Sequence, residues 1–544
     1  MKSSSHRLKS GAMGVVALVA LYLISLAWVC PVGNFPLLDD WVYARSAVAS
    51  AAAGKLVLTG YESAWSLPQV LLGAGVTALI GPSHVAFRAF GVISLVGLVT
   101  LLSAYMRKLR ISAKVSFVMC SLLLFNPVAY LLSATFMTDL PFVVLWVAAC
   151  FAWDTAFATR SRTWTVASIG LSSLAIAQRQ FGIVIPCAVV LLILRTYWSS
   201  EQPAEKGRAG LKGLLCAAIV AIFAGAMLYL WMRALGGYQP PLFSGDPWRY
   251  FVPSNFKMVV LLSLGLLPAG VLIGPYNSGV SHFLRFARVL SLLVVFCGVY
   301  FLSTGESILY GNLLSPFGIA RTDELLVGER PVLFLPWMNG FALALGIGMF
   351  VLTIPSMITS CASLLRDSDR SNGKAGGRFG AVLVSSTLLY LLVFSLRGGF
   401  DRYLLPALPG LLVIAATAVN KPSPRRLRAA YGALVCMGAL SVALLYDYFR
   451  WNEVKWQAAT ELVSSGVSSA KIHAGYEWHG WYHGDSSPFP GGLSSGYSHA
   501  ISFSDSIDSF SVKAEKEWVG VFPPFRHKIF VLERVGGRLT ASVP

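Results

Sequence analysis

Asp39 and Asp40 stand side by side in PLLDDWVYARSA, directly after an apolar run over residues 11–30. A third acid, Asp139, lies in SATFMTDLPFVV between two further apolar runs, and Arg179-Gln180 fills the short break in IAQRQFGIVIP. RGGFDRY (397–403), followed by LLPALPG, places Arg402 and Tyr403 at the start of another run. Ionisable groups at the edge of a membrane are costly and tend to be functional. Each also has a plainer use. Asp39 can cap a helix beginning at Trp41, and Thr138 or Asp139 can cap the helix whose first turn holds Pro141. Arg179 can snorkel to headgroups or bind an anion, for which its guanidinium fork suits phosphate. Arg402 can pair with Asp401 or join the same anion site. His473, His479 and His483 lie in or near GYEWHGWYHGD, a stretch whose glycines and aromatics favour strand and loop; a surface of stacked rings near a sugar is its more natural reading than a metal site.

The elements that must position these groups are set by composition. The 544-residue chain is 56% hydrophobic and 12% charged, with a mean hydropathy of +0.65. Soluble proteins carry about a quarter charged residues, so a soluble enzyme, a disordered chain and a coiled coil are excluded. Runs long enough to cross a bilayer as helices fall at about 11–30, 86–106, 114–132, 141–158, 163–178, 181–197, 213–235, 258–276, 289–303, 337–365, 379–396, 404–420 and 429–447, about thirteen in all. The first is too long for a signal-peptide core and reads as an uncleaved span.

The net charge of +18 would suggest nucleic acid in a soluble protein. Divided by side it means something else. With the N-terminus inside, the inner connections hold 23 basic residues, among them Arg107, Lys108, Arg110, Arg160, Arg162, Arg366 and Arg426. Only five acids oppose them: Asp154, Glu201, Glu205, Asp367 and Asp369. The whole excess lies on one face, as expected for an N-terminus in the cytoplasm and a C-terminus outside an inner (plasma) membrane. No nucleic-acid partner is implied. The eight cysteines fall within or at the ends of spans, so no disulfide framework is expected.

Two regions lie outside the spans. Residues 31–85 form a long first outer loop, in which Trp41 to Ala53 reads as an amphipathic helix on the membrane surface. Residues 448–544 form an outer tail, with a helix from Trp451 to Ser465 stopped by Gly466 and strand-like runs at Ala470–Tyr476 and Lys528–Val535. The expected fold is an all-α polytopic membrane domain over residues 1–447 with a small α/β extracytoplasmic domain after it.

The acidic pair in the first outer loop with Tyr43 after it, the T-D-L-P turn of Asp139, the basic turn Arg179-Gln180-Phe181-Gly182 and the late R-Y-L-L-P from Arg402 to Pro406 resemble the GT-C glycosyltransferases. Within them the chain is similar to the branch of protein O-mannosyltransferases and the lipid A aminoarabinose transferase. The likeness runs through most of residues 10–447, and that branch shares the layout of about thirteen spans and an outer C-terminal domain. The resemblance implies a sugar donor on a polyprenyl phosphate at the outer membrane face, with an envelope glycan, glycolipid or protein as acceptor. It makes Asp39 the base or acceptor-orienting group, with Asp40 in place of the family's Glu, and puts Asp139 near the reacting centre. Tyr43 and Arg179 fall at the donor phosphate, where Gln180, Arg402 and Tyr403 also belong. Glu62, in GYESAWSLPQ, matches an acid followed by Lys-Pro in the aminoarabinose branch; Ser63 stands here instead, which speaks against an aminoarabinose donor and lipid A acceptor.

The chemistry agrees with this reading. A phosphate-linked sugar carries its own leaving group, so the protein must supply positive charge to the phosphate and a carboxylate for the acceptor's proton. One displacement inverts the anomeric carbon. The second acid can orient the base, contact sugar hydroxyls or hold a divalent cation. A transporter or lipid flippase would instead carry mid-span charges and repeated halves, neither of which the sequence shows; a non-catalytic envelope scaffold would tolerate loss of the outer acids.

Overall fold

The computed structural model describes residues 2–198, 205–234, 247–273, 332–370, 379–397, 399–419, 422–484, 496–522 and 525–535, with residue 493 and pieces of 291–330. The helices are α1 (Lys2–Val29), α2 (Asp40–Ala53), α3 (Leu67–Ile80), α4 (His84–Lys108), α5 (Ala113–Leu124), α6 (Pro127–Ser133), α7 (Asp139–Thr159), α8 (Arg162–Gln178) and α9 (Val184–Trp198). There follow α10 (Glu205–Ala234), α11 (Pro247–Gly265), α12 (Leu267–Ile273), α13 (Pro336–Arg370), α14 (Ala381–Arg397), α15 (Leu408–Ala418), α16 (Pro424–Ser464) and α17 (Tyr476–His483). The chain is a predominantly helical membrane protein with a small sheet near its C-terminus.

Among the described residues six helices are long and apolar enough to cross a membrane, or eight if each of two bent pairs is one span. The apolar runs predict about thirteen, and the difference has local causes. The run 114–132 is broken between α5 and α6 by a 60° bend, where Asn126 caps α6 through Val128 N and Ala129 N ahead of Pro127. The run 258–276 bends by 71° ahead of Pro268, between α11 and α12. The run 404–420 opens as a 3-10 turn over Asp401–Ala407, leaving α15 with 11 residues. The expected span 11–30 lies within α1, which is 28 residues long, and the apolar helix Ala381–Leu396 is shorter than a full crossing. The expected span 289–303 lies partly outside the described residues.

The first half of the helix in the loop 31–85 is buried. In α2, Trp41, Val42, Tyr43, Ala44 and Ala47 are buried, so the expected surface helix is instead enclosed between α3 and the tail. The loop's path is pinned by Arg88 on α4, which donates to the carbonyls of Pro31, Gly33 and Phe35 and stacks its guanidinium 5.2 Å from the Phe35 ring and 5.1 Å from that of Phe449.

The tail begins inside a helix. The expected last span and the expected Trp451–Ser465 helix are one 41-residue helix, α16, ended as anticipated at Gly466, whose φ of +97° suits glycine. Strands β1 (Leu314–Ser315) and β2 (Gly318–Ile319) form a small antiparallel hairpin. The tail sheet has the order β3 (Ile472–His473), β4 (His499–Ser502), β6 (Arg526–Arg534), β5 (Phe510–Val519), with β3 parallel to β4 and the other pairs antiparallel. The expected strand at 470–476 shrinks to β3, and that at 528–535 is β6. β5 was not anticipated because its charged, exposed residues obscure the alternation. GYEWHGWYHGD, expected as strand and loop, contains α17; its helix is held by packing rather than by propensity. An apolar core runs without interruption from Leu18 through Trp146 to Trp478 and Ile529, joining tail to membrane domain.

The tightest contact of that junction is between α17 and α2. A Cβ added to Gly480 would lie 2.2 Å from Cε2 of Trp41, a fully buried ring, and Arg45 donates to the Gly480 carbonyl at 2.8 Å. Overpacking such a site costs about 1–3 kcal/mol. Gly480→Ala is expected to lower the thermal midpoint of the detergent-solubilised full-length protein; an unchanged midpoint would show that α17 is free to move off α2.

Candidate active site

The site is built on the turn 37–40. Leu38 adopts φ +56°, a conformation that a branched side chain holds only when its surroundings require it. Three contacts do so. Asp40 accepts from Leu37 N at 2.7 Å and from Phe136 N at 3.1 Å, and Glu477 of α17 accepts from Leu38 N at 3.3 Å. Glu477 is itself paired with Lys455 at 2.7 Å, both fully buried. Asp40 is 1% exposed, and burial pushes its carboxyl up to about 7 against the opposing pull of Arg88 and the two backbone N–H groups. Its carboxylate serves the turn.

Asp39, the neighbour, is free of that duty. It stands at the N-cap of α2 yet makes no side-chain cap bond. Its Oδ2 accepts from Nη2 of Arg402 at 2.7 Å, with one third of the side chain exposed. Of the two uses open to Arg402, pairing with Asp401 gives way to this longer reach, because Asp401 accepts from the backbone N–H groups of Leu313, Leu314 and Arg402. Burial works against the Arg402 charge, but Asp39 foremost outweighs it and holds the guanidinium well above its ordinary range.

Arg179 and Asp139 form a second pair at 2.9 Å, with side chains 5% and 0% exposed. Arg179 Nε also donates to Thr138 Oγ1 at 3.0 Å. Thr138 and Asp139 stand at the start of α7 without capping it through their side chains, so both are spent on the arginine, and Arg179 does not snorkel. The turn that delivers Arg179 depends on Gly182, where a Cβ would come within 2.5 Å of Ile176 N.

Tyr403 joins the two pairs. Its ring lies 5.1 Å from the Arg179 guanidinium and 5.5 Å from that of Arg402. Tyr43 faces the same group from α2, interacting with Arg179, Asp39, Arg402 and Ser63; burial pushes its hydroxyl up to about 12. Two hydrogen-bonding atoms in the cluster are buried without a partner among the described residues, Asp139 Oδ2 and Arg402 Nε.

The structure thus brings together Asp39, Asp139, Tyr43, Arg179, Arg402 and Tyr403. Gln180 lies beside them, donating to the Ser63 carbonyl at 3.4 Å. Glu62 is bound elsewhere: its carboxylate accepts from Ser46 Oγ, Thr59 N, Thr59 Oγ1 and Gly60 N, tying its own loop to α2. Sequence reasoning missed Tyr476, whose hydroxyl interacts with the Asp39 carboxylate, and the Lys455–Glu477 pair. The available signal was the Tyr-Glu opening of GYEWHGWYHGD, overshadowed there by its histidines.

Those histidines form a ring cluster with Tyr497, whose hydroxyl lies 2.7 Å from His479 Nε2. Burial pulls His473 and His479 down to about 4, so both are neutral at pH 7. Among the described residues no three His, Cys, Asp or Glu side chains gather to hold a metal ion, and all eight cysteines are unpaired.

A buried carboxylate stripped of its cation costs about 3–5 kcal/mol. Arg179→Gln is therefore expected to lower the thermal midpoint sharply, and Asp139→Asn added to it to restore much of the loss. A double variant no more stable than Arg179→Gln would show that the pair is not coupled.

No family model and no curated protein matches the chain. Among solved structures it is similar to ArnT from Cupriavidus metallidurans in the apo state, with 16% identity, 95% of this chain and 97% of that chain covered, and a TM-score of 0.40. The same protein bound to undecaprenyl phosphate gives 14% identity, the same coverage and a TM-score of 0.39. The archaeal oligosaccharyltransferase AglB from Archaeoglobus fulgidus, in complex with an inhibitory peptide and a dolichol-phosphate, gives 13% identity over 82% of this chain and 58% of that chain, with a TM-score of 0.41.

Proposed function

We propose that this protein is a GT-C glycosyltransferase that moves a sugar from a polyprenyl-phosphate donor to an envelope acceptor at the outer face of the membrane, with inversion and with Asp39 as base. The observation that carries the reading is the arrangement of the two ion pairs: two arginines flank one tyrosine ring, and only one of their two carboxylate partners is open to solvent.

Asp139 is fully buried and engaged by Arg179; its role is to hold that guanidinium in place. Asp39 is the acid an incoming hydroxyl can reach. The acceptor oxygen attacks the anomeric carbon and the bond from that carbon to the phosphate oxygen breaks. The electron pair leaves with the polyprenyl phosphate, and the acceptor's proton passes to Asp39. Arg402, Arg179 and the Tyr43 hydroxyl meet the charge that grows on the departing phosphate. The positive charge is supplied by side chains of the chain itself. The division of basic residues supports a cytoplasmic N-terminus and an outer tail, and the full set of about thirteen spans belongs to the same reading.

Arg402 is shared. Paired with Asp39, it is the cation a phosphate must win. Asp39→Asn is expected to abolish transfer, read as the envelope glycan or glycolipid that the wild-type gene restores by mass spectrometry. The same variant is expected to bind undecaprenyl phosphate tighter by about fivefold, since losing a competing pair releases on the order of 1 kcal/mol; Arg402→Gln should bind it more weakly. Retained transfer in Asp39→Asn would sink the assignment of the base. A C-terminal alkaline phosphatase fusion should be active and a fusion after Lys108 inactive; the reverse result would invert the topology.

A further inference from the structure

The tail meets the candidate site through the first turn of α17, and more than packing is involved there. Glu477 holds Leu38 N, Arg45 holds the Gly480 and Trp481 carbonyls, and the Tyr476 ring stands edge-on to Trp41 at 5.7 Å. These contacts fix Tyr476 over residues 38–41. From there its hydroxyl interacts with Asp39, while Arg402 takes Oδ2 from the other side. Burial first, and then the Asp39 charge, push the Tyr476 hydroxyl up, so it remains a protonated donor at any working pH.

We propose that Tyr476, contributed by the tail, is a positioning residue for Asp39: its hydroxyl donates to the carboxylate, fixes the direction in which the base faces and stabilises its ionised form. The proposal rests on Asp39 being the base. It makes the tail a part of the active site. The groups that face Asp39 are Arg402 from the 3-10 turn 401–407, Tyr43 from α2 and Tyr476 from α17, with Arg179, Asp139 and Tyr403 behind them. Of these, Tyr476 is the one neutral donor that a substitution removes without deleting a charge or a member of the phosphate-facing group.

The test uses full-length protein in nanodiscs supplied with lipid-linked sugars extracted from the source membranes, reading release of undecaprenyl phosphate against pH. Tyr476→Phe keeps the ring on Trp41 and deletes the donor. It is expected to lower kcat about tenfold, leave KM for the lipid donor within about twofold, and move the acid limb of the pH profile up by about one unit, because a carboxylate that loses a hydrogen bond protonates more easily. Replacing Tyr476 by 3-fluorotyrosine, nearly isosteric and a stronger donor, should move the same limb down. An acid limb unmoved by both substitutions, whatever the loss in rate, overturns the proposal and leaves Tyr476 a packing residue. Failure of the underlying base reading shows differently, as turnover retained by Asp39→Asn.

Discussion

Two arginines and two aspartates gathered in a largely buried cluster can coexist only as pairs, since an uncompensated charge there costs several kcal/mol. Much of the membrane domain's upper end serves that requirement. The Asp39–Arg402 pair joins the first outer loop to the turn ahead of α15, a reach of 363 residues along the chain. The Arg179–Asp139 pair joins the break after α8 to the start of α7. The face of Tyr403 lies against both guanidiniums, where its quadrupole offsets part of the repulsion between them. Each segment is irregular where it enters the cluster, and each irregularity has its own lock: Asp40 and Glu477 for turn 37–40, Gly182 for the break after α8, Asp401 for the 3-10 turn.

The two pairs differ in exposure, and that difference divides their labour. A buried pair such as Arg179–Asp139, with Thr138 holding the same guanidinium, is a fixed electrostatic element. Asp39–Arg402 opens to solvent on the carboxylate side, so its partners can be exchanged for substrate atoms at modest cost. In the proposed transfer, where the site binds a phosphate and then needs a free base, this asymmetry is useful.

Much of this was legible from residue types and spacing. Asp39, Asp139, Arg179 and Arg402 stood out because charge beside apolar runs is conspicuous, and the side they share followed from the one-sided distribution of lysine and arginine. What was not legible depended on contacts between distant segments. Arg402 selects Asp39 over its neighbour Asp401 because backbone donors from residues 313–314 occupy the neighbour. Glu62 resembles a site acid by motif, but four local donors consume it. α2 reads as a surface helix until the tail is laid upon it, and α17 has a composition that states no structure until Trp41 and Arg45 receive it. The bends at Asn126–Pro127 and ahead of Pro268 were not legible, because hydropathy runs through both without a break.

The unbroken course of α16 has a geometric consequence. At about 1.5 Å per residue its 41 residues make a rod of roughly 60 Å, about twice the thickness of the hydrocarbon core. No hinge interrupts it between membrane and tail. It therefore acts as a ruler, setting the distance of α17, and with it of Asp39, from the start of the helix at Pro424. In the proposed transfer, an acceptor must present its hydroxyl at that level. Long or flexible acceptors meet the condition easily; those held flat against the bilayer do so only if the membrane-facing side of the cluster lies open to them.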